Sequence, residues 1–229
     1  IRKNSKKIKN KITFGFKGQC DVAGKIVGYS IDGRTKLNVT YSNKNFEVTL
    51  PINGKANAKN VLSAIAIAQY LKLSVTQIKN GIGKLNQVPG RLNTIVFDNF
   101  TLIDDTYNSN PTSMEAAIEL LQSIKSYEIK TLIIGDMFEL GENAIVLHKA
   151  LASLILKGKI SNVLMLGKMM SNLDKELGQI KINSIYFKNR KALNSYIIKN
   201  DFSNQVILVK GSRGMRMEEF VNQIINKAA

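Results

Sequence analysis

Residues 90–115 read G-R-L-N-T-I-V-F-D-N-F-T-L-I-D-D-T-Y-N-S-N-P-T-S-M-E, and the rest of the chain is arranged around them. Asn93–Phe97 and Phe100–Ile103 are short apolar runs of β type, and Asp98-Asn99 between them is a turn signal. The second run ends in Asp104-Asp105, followed by a polar loop, Thr106–Pro111. Thr112 and Glu115 have capping-box spacing, which predicts a helix with Thr112 as its N-cap. Met114, Ala117, Ile118, Leu121 and Ile124 then recur at helical intervals. Carboxylates at the carboxyl end of a strand, ahead of a helix, lie where open α/β sheets bind ligands. Taken alone, Asp-Asp reads as an acidic turn.

Downstream, strand-like and helix-like stretches alternate. Thr131–Ile134, Val163–Leu166, Ser184–Phe187 and Val206–Val209 are the strands; Glu142–Lys157, Lys168–Leu177, Lys191–Ile198 and Met217–Lys227 are the helices. This alternation predicts βαβ units and a mostly parallel sheet, Rossmann-like in layout. No G-x-G-x-x-G follows any of these strands, so the dinucleotide fingerprint is missing. Upstream, Ile12–Phe16, Lys25–Ile31, Lys36–Tyr41 and Phe46–Leu50 read as strands, the last three joined by turns at Asp32-Gly33 and Ser42-Asn43 as a small antiparallel set. A buried helix is expected over Asn57–Leu71 and a second over Ser74–Gly83. Leu85–Gly90 then reads as a linker. The expected fold class is α/β: residues 1–90 as the remainder of one α/β domain, and 91–229 as a separate Rossmann-like domain.

The 229 residues carry 33 Lys+Arg against 17 Asp+Glu, a formal charge of +16. Only six of the cations are Arg, the lysines are scattered apart from Lys3–Lys11, and aromatics do not interleave with them. That pattern argues for a general basic bias over a nucleic-acid surface. No apolar run reaches the ~20 residues of a membrane helix. The basic start, Ile1–Lys7, has no apolar core after it and is no signal peptide. A single cysteine, Cys20, fits a reducing compartment. The initial Ile reads as the mark of a fragment or processed product.

Three motifs offer chemistry besides the opening stretch. Gly54-Lys55-Ala56-Asn57-Ala58-Lys59-Asn60 precedes the buried helix; Gly135-Asp136-Met137-Phe138-Glu139-Leu140-Gly141 follows one strand; Lys210-Gly211-Ser212-Arg213-Gly214-Met215-Arg216-Met217-Glu218 follows another. In the last, glycines let the backbone approach an anion while Lys210, Ser212 and Arg213 offer donors. His148, the only histidine, lies beside the stripe Leu147, Ala150, Leu151 and Leu154, where a lone histidine reads as structural. One His and one Cys give no zinc spacing, so no metal ligands are expected here.

These motifs, from about Thr13 to the C-terminus, resemble the Mur ligases, the ATP-dependent amide ligases of peptidoglycan synthesis. G-R-L followed by D-D-T-Y-N-S-N-P-T-S-M most resembles the members that add D-alanyl-D-alanine to UDP-N-acetylmuramoyl-tripeptide through an acyl phosphate. The resemblance implies that Asn57 and, chiefly, Asn60 hold the adenine of ATP, although Ala56 stands where the family has His. It implies that Arg91 reaches the ATP phosphates, that Asp105 accepts from the ribose hydroxyls, and that Tyr107 and Asn108 flank the adenine. Asp104 reads as a turn group. Asp136 and Glu139 would hold the dipeptide's ammonium, and Lys210, Ser212 and Arg213 its carboxylate or that of the substrate peptide. Arg91 and His148 are the implied catalytic residues.

The family's phosphate loop, Mg²⁺ ligands and modified lysine precede the part seen here. No G-x-x-x-x-G-K-[ST] occurs, and Gly15-Phe16-Lys17-Gly18 lacks its spacing. The chain is therefore expected to be the later half of the enzyme, inactive alone, with ATP and Mg²⁺ as cofactors of the whole. A cytoplasmic monomer with no nucleic-acid partner and no membrane insertion is expected. Two alternatives stay open: a fragment of a related ligase (another Mur ligase or a folylpolyglutamate synthase), and a catalytically inactive basic binding module. Tyr107-Asn108-Ser109-Asn110 argues against the Mur ligase that adds a diamino acid, which has D-Y-A-H-T-P there.

Overall fold

The computed structural model describes residues 10–30 and 33–228. Residues 1–9 of the expected basic end and Asp32 of the expected Asp32-Gly33 turn lie outside the described residues. Among the described residues the chain divides into two compact units, one of residues 10–30 and 34–86, the other of Gly33 and residues 87–228.

The first unit holds a four-stranded sheet in the order β1 (Phe14–Gly15), β2 (Val22–Tyr29), β3 (Thr35–Tyr41), β4 (Lys44–Thr49). β1 runs parallel to β2; β2, β3 and β4 are antiparallel. Ser42 and Asn43 both take left-handed backbone, φ 44° and 61°, as a two-residue hairpin turn requires. β2 starts three residues before the Lys25 expected from sequence. Gly24 looks like a break, yet it pairs with Val39, and its missing Cβ makes room for Leu62 of α1 (Lys55–Tyr70). No side chain caps α1 at Gly54. A missing cap costs about 1 kcal/mol. Burying Val61, Leu62 and Ile65 against the sheet outweighs that at roughly 1.5–3 kcal/mol each. The helix closes in a Schellman turn with Lys72 left-handed, where Leu73 N–H donates to Ala68 C=O at 3.0 Å. α2 (Val75–Gly83) begins at a capping box of Ser74 and Gln77.

The second unit is a six-stranded sheet: β5 (Asn93–Val96), β6 (Phe100–Asp105), β7 (Ile129–Gly135), β8 (Asn162–Leu166), β9 (Ser184–Phe187) and β10 (Gln205–Lys210). The spatial order is β5-β6-β10-β7-β8-β9, parallel throughout except for the edge hairpin β5–β6. Side chains alternate between two cores. Ile103, Leu132, Ile134 and Leu208 face α3 (Pro111–Ser123), α4 (Ala144–Lys157) and α5 (Met170–Gln179). Leu102, Ile133, Ile207 and Val209 face α6 (Arg190–Lys199) and α7 (Glu218–Ala228). The sheet is thus covered on both faces, which is why its strands read as continuous apolar runs.

The start of α3 differs from the sequence reading. Asn110, not Thr112, is the N-cap: its side chain accepts from Ser113 N–H at 2.8 Å, and Ser113 Oγ accepts from Asn110 N–H at 3.0 Å. Pro111 then occupies the first turn, where its missing N–H costs nothing. The box has shifted by two residues because Asn suits the cap position as well as Thr does.

Candidate functional site

β10 lies between β6 and β7, so the loops that follow these three strands leave the sheet side by side at its carboxyl end. The first carries Thr106–Asn110, the second Asp136–Leu140, the third Gly211–Arg216.

Two consecutive carboxylates close β6. Asp104 accepts from Gly90 N–H at 2.9 Å and from the Thr106 hydroxyl at 2.6 Å, the turn role expected of it. Asp105 accepts from Leu92 N–H at 3.1 Å through one oxygen and from the Lys210 ammonium at 2.6 Å through the other. Lys210, 1% exposed, also donates to Asn108 C=O at 2.8 Å. Burial pushes the Asp105 carboxyl up and the Lys210 ammonium down, while their contact pulls each back. Gly90, at φ 74°, lets its carbonyl accept from Tyr107 N–H at 2.9 Å. Asp105 and Lys210 are therefore engaged inside the protein. Their bonds fix the Gly90–Leu92 turn and the Tyr107–Asn108 loop.

The loop after β7 is tied down from three directions. Asp136 is buried, and its two oxygens accept from Met169 N–H at 3.2 Å and Met170 N–H at 3.0 Å, capping the start of α5. A carboxylate suits that position at the positive end of the helix dipole. His148 is fully buried. Its Nε2 accepts from Met137 N–H at 3.0 Å, which leaves Nδ1 to donate to Ala144 C=O at 2.6 Å. Both ring nitrogens of His148 are thus bonded to main chain. Ser212 is also buried: its Oγ accepts from Phe138 N–H at 2.7 Å and donates to Ser109 C=O at 3.3 Å, and its N–H donates to Asp136 C=O at 3.0 Å. Ser212 thereby links three loops. Gly211 and Gly214 leave room for Met217 and for the Phe138 ring, so their smallness serves packing rather than an anion.

A second set of residues stays at the surface. Tyr107 is 45% exposed; the Arg91 guanidinium lies 3.9 Å and that of Arg213 5.7 Å from its ring centroid. Neither arginine has a carboxylate in the ion pairs found among the described residues. Asn108 is exposed, its Oδ1 accepting from Ser109 N–H at 2.8 Å. Glu139 is exposed with a left-handed backbone, φ 60°. Beside it Phe138 is 44% exposed, and the sequence reading gave it no role; an aromatic between the carboxylates of one loop was the available signal.

In the first unit, Asn57 is half-buried and donates to Asn53 C=O at 2.8 Å, tightening the turn that enters α1. Asn60 is exposed one turn further on. Among the described residues no group of three or more His, Cys, Asp or Glu is placed to hold a metal ion, and no helix is long and apolar enough to cross a membrane.

Two family models match the chain: the Mur ligase middle domain over residues 1–68, and the Mur ligase glutamate ligase domain over residues 90–213. The UDP-N-acetylmuramoyl-tripeptide–D-alanyl-D-alanine ligase of Buchnera aphidicola is 38% identical over 185 residues, 79% of this chain and 39% of that protein. The ligase of the same name from Haemophilus influenzae is 31% identical, over 97% of this chain and 48% of its own length. Among solved structures, MurF from Acinetobacter baumannii superposes with a TM-score of 0.82 at 26% identity, covering 94% of this chain and 47% of that one. The chain thus spans less than half the length of these relatives.

Proposed function

This chain belongs to the Mur ligase family, and from that premise we propose that it is the later part of an ATP-dependent amide ligase. The whole enzyme would join D-alanyl-D-alanine to UDP-N-acetylmuramoyl-tripeptide through an acyl phosphate. Residues 1–90 would complete the ATP-binding domain, and 91–229 would be the domain that brings the acceptor dipeptide. The carrying observation is the exposed set at the carboxyl end of the second sheet, an aromatic face with two guanidinium groups on it and a carboxylate on the neighbouring loop. Its supporting context is similarity to D-alanyl-D-alanine-adding ligases along nearly the whole chain.

The residues present fit a nucleotide. A phenol ring offers a stacking plate to a purine, and a guanidinium matches phosphate oxygens in a two-pronged contact. Arg91 is the residue we assign to the phosphates, and Tyr107 with Asn108 to the base. In the first unit, the exposed carboxamide of Asn60 can donate and accept at the adenine edge, with Asn57 holding the turn beneath it. ATP supplies the phosphoryl group that activates the carboxylate of the nucleotide-peptide. No described cluster suits Mg²⁺, and we assign none of these residues to it. On the acceptor side, Glu139 suits the dipeptide's ammonium and Arg213 its carboxylate. In this reading the enzyme works in the cytoplasm as a monomer, away from nucleic acid and without entering a membrane.

The test is to titrate the 229-residue chain by NMR with ADP and, separately, with D-alanyl-D-alanine. A few edge contacts predict roughly millimolar affinities, on the order of −4 kcal/mol. Shifts should centre on Tyr107 and Asn108 with ADP, and on Glu139 and Arg213 with the dipeptide. Shifts centred elsewhere would overturn the assignment. Phosphate release by this chain given ATP and both substrates would overturn its reading as one part of the enzyme.

A further inference from the structure

Two consecutive amides in the loop after β7 are bonded by side chains from different elements. Met137 N–H donates to His148 on α4, and Phe138 N–H donates to Ser212 beyond β10. The residue before them, Asp136, is held by the first turn of α5. The residue after them, Glu139, is exposed and left-handed. An L-residue other than Asn, Asp or Gly takes that conformation at a cost, and persists in it where the surroundings over-determine the backbone. Of the other left-handed residues, Leu92, Asn204 and Arg216 lie outside helices and strands as Glu139 does, and the rest have an ordinary structural reason. Lys72, Lys159 and Lys181 close helices, with Leu73, Ile160 and Ile182 donating back to Ala68, Ile155 and Leu177. Ser42 and Asn43 make a hairpin. Glu139 is at neither kind of place: it lies between β7 and the short 3₁₀ turn Gly141–Asn143.

We propose that His148 and Ser212 are positioning residues which, by holding the Met137 and Phe138 amides, set Glu139 in its left-handed, outward pose as the contact for a primary ammonium group. The ligand half of this statement rests on the function proposed above; the positioning half does not. His148 does this without touching ligand, because its acceptor nitrogen and its donor nitrogen are both spent on main chain. The histidine is thereby bound to one tautomer, Nδ1–H, and an apolar replacement removes the acceptor from Met137 N–H while filling the same space.

The 229-residue chain serves for the test, with variants His148→Leu, His148→Gln, Ser212→Ala, Glu139→Gln and Glu139→Gly. Three readouts are needed: thermal stability, the amide resonances of Phe138 and Glu139, and the response to D-alanyl-D-alanine. His148→Leu should displace both resonances and weaken the dipeptide at least several-fold, and His148→Gln, which restores an acceptor, should return the resonances toward the parent. If His148→Leu does not fold, Ser212→Ala carries the same comparison through Phe138. Glu139→Gly should melt higher than the parent yet lose the dipeptide response, as Glu139→Gln should without the gain in stability. Resonances of Phe138 and Glu139 that stay in place in folded His148→Leu and Ser212→Ala would overturn the positioning role. Displaced resonances in a protein that shows no dipeptide response even as the parent would uphold positioning and overturn the ammonium contact, and with it the acceptor side of the proposed function.

Discussion

The polar residues of the three motif loops fall into two tiers that resemble each other in sequence and differ in employment. Asp104, Asp105, Asp136, His148, Lys210 and Ser212 are buried, and each is bonded to main chain, to another member of the tier, or to both. Arg91, Tyr107, Asn108, Glu139 and Arg213 are exposed, and both guanidinium groups lie near the Tyr107 ring. The difference is one of competition. At the end of a strand, the nearest strong donors are the unpaired amides of the next loop or helix, and a short carboxylate meets them before it can meet a ligand. Residues whose side chains point outward from the loops escape that competition and are left to contact something from outside.

The strongest way to break this comparison is at its buried centre. Lys210→Met leaves the Asp105 carboxylate in the interior with no cation, a change that costs about 3–5 kcal/mol. Urea unfolding should show that loss. Lys210→Met with Asp105→Leu should recover most of it, since apolar replacement of a whole buried pair is often neutral. A loss below roughly 1 kcal/mol in the single variant, the size of an exposed pair, would place Lys210 in the other tier.

A second buried lysine sharpens the point because it has no carboxylate in the ion pairs found among the described residues. Lys130, at the amino end of β7, donates to the carbonyls of Ile124 and Tyr127, both at 2.5 Å, at the end of α3. Burial, and then the neighbouring charge of Lys125, lower its pKa from 10.5 to about 8. The sign follows: between those values the unfolded chain binds more protons than the folded one, so stability rises with pH across that window and is flat below it. The slope approaches about 1.4 kcal/mol per pH unit at most. Thermal melts from pH 7 to 10.5 should show this rise in the parent and not in Lys130→Met. Equal slopes in both would mean that the two carbonyls keep the ammonium charged despite its burial.

The architecture was legible because apolar periodicity reports burial directly: every strand and helix of the second unit lies within a few residues of its expected place. The employment of polar residues was not legible, because it depends on neighbours far along the chain. Asp105 meets Lys210 only once β10 has come to lie beside β6. Strand order of that kind leaves no trace in spacing. The family pattern located the loops and did not say which of their residues would be consumed in building them.

Local capping was misread for a simpler reason, and the next effect is correspondingly smaller. Asn110 and Thr112 both suit an N-cap, and Ser113 and Glu115 both suit its partner. Asn110→Ala should cost about 1 kcal/mol, and Thr112→Ala, at an exposed first-turn position, only a few tenths. Equal costs in urea unfolding would restore the Thr112 reading.

The smallest effect on stability is expected where the effect on ligand is largest. Arg91→Ala removes a guanidinium that lies on an exposed ring and has no carboxylate partner, an arrangement worth about 0.5–1 kcal/mol at most at a surface. Arg213→Ala removes a more distant one and should cost less still. Part of even that cost is returned, because Arg91 and Arg213 share one ring and repel each other. Each single variant relieves that repulsion in full, so the double variant should be less stable than the sum of the singles by the size of the repulsion. Binding should go the other way: Arg91→Ala should weaken the ADP-induced shifts at Tyr107 and Asn108 more than Arg213→Ala does, since the Arg91 guanidinium lies nearer that ring. Raising the salt should weaken ADP in the parent and have little further effect in the variant. Should Arg91→Ala instead unfold the chain readily while leaving ADP shifts intact, Arg91 would belong with Asp105 and Lys210 among the residues that build the site, and the line between the tiers would have to be redrawn at the Gly90–Leu92 turn.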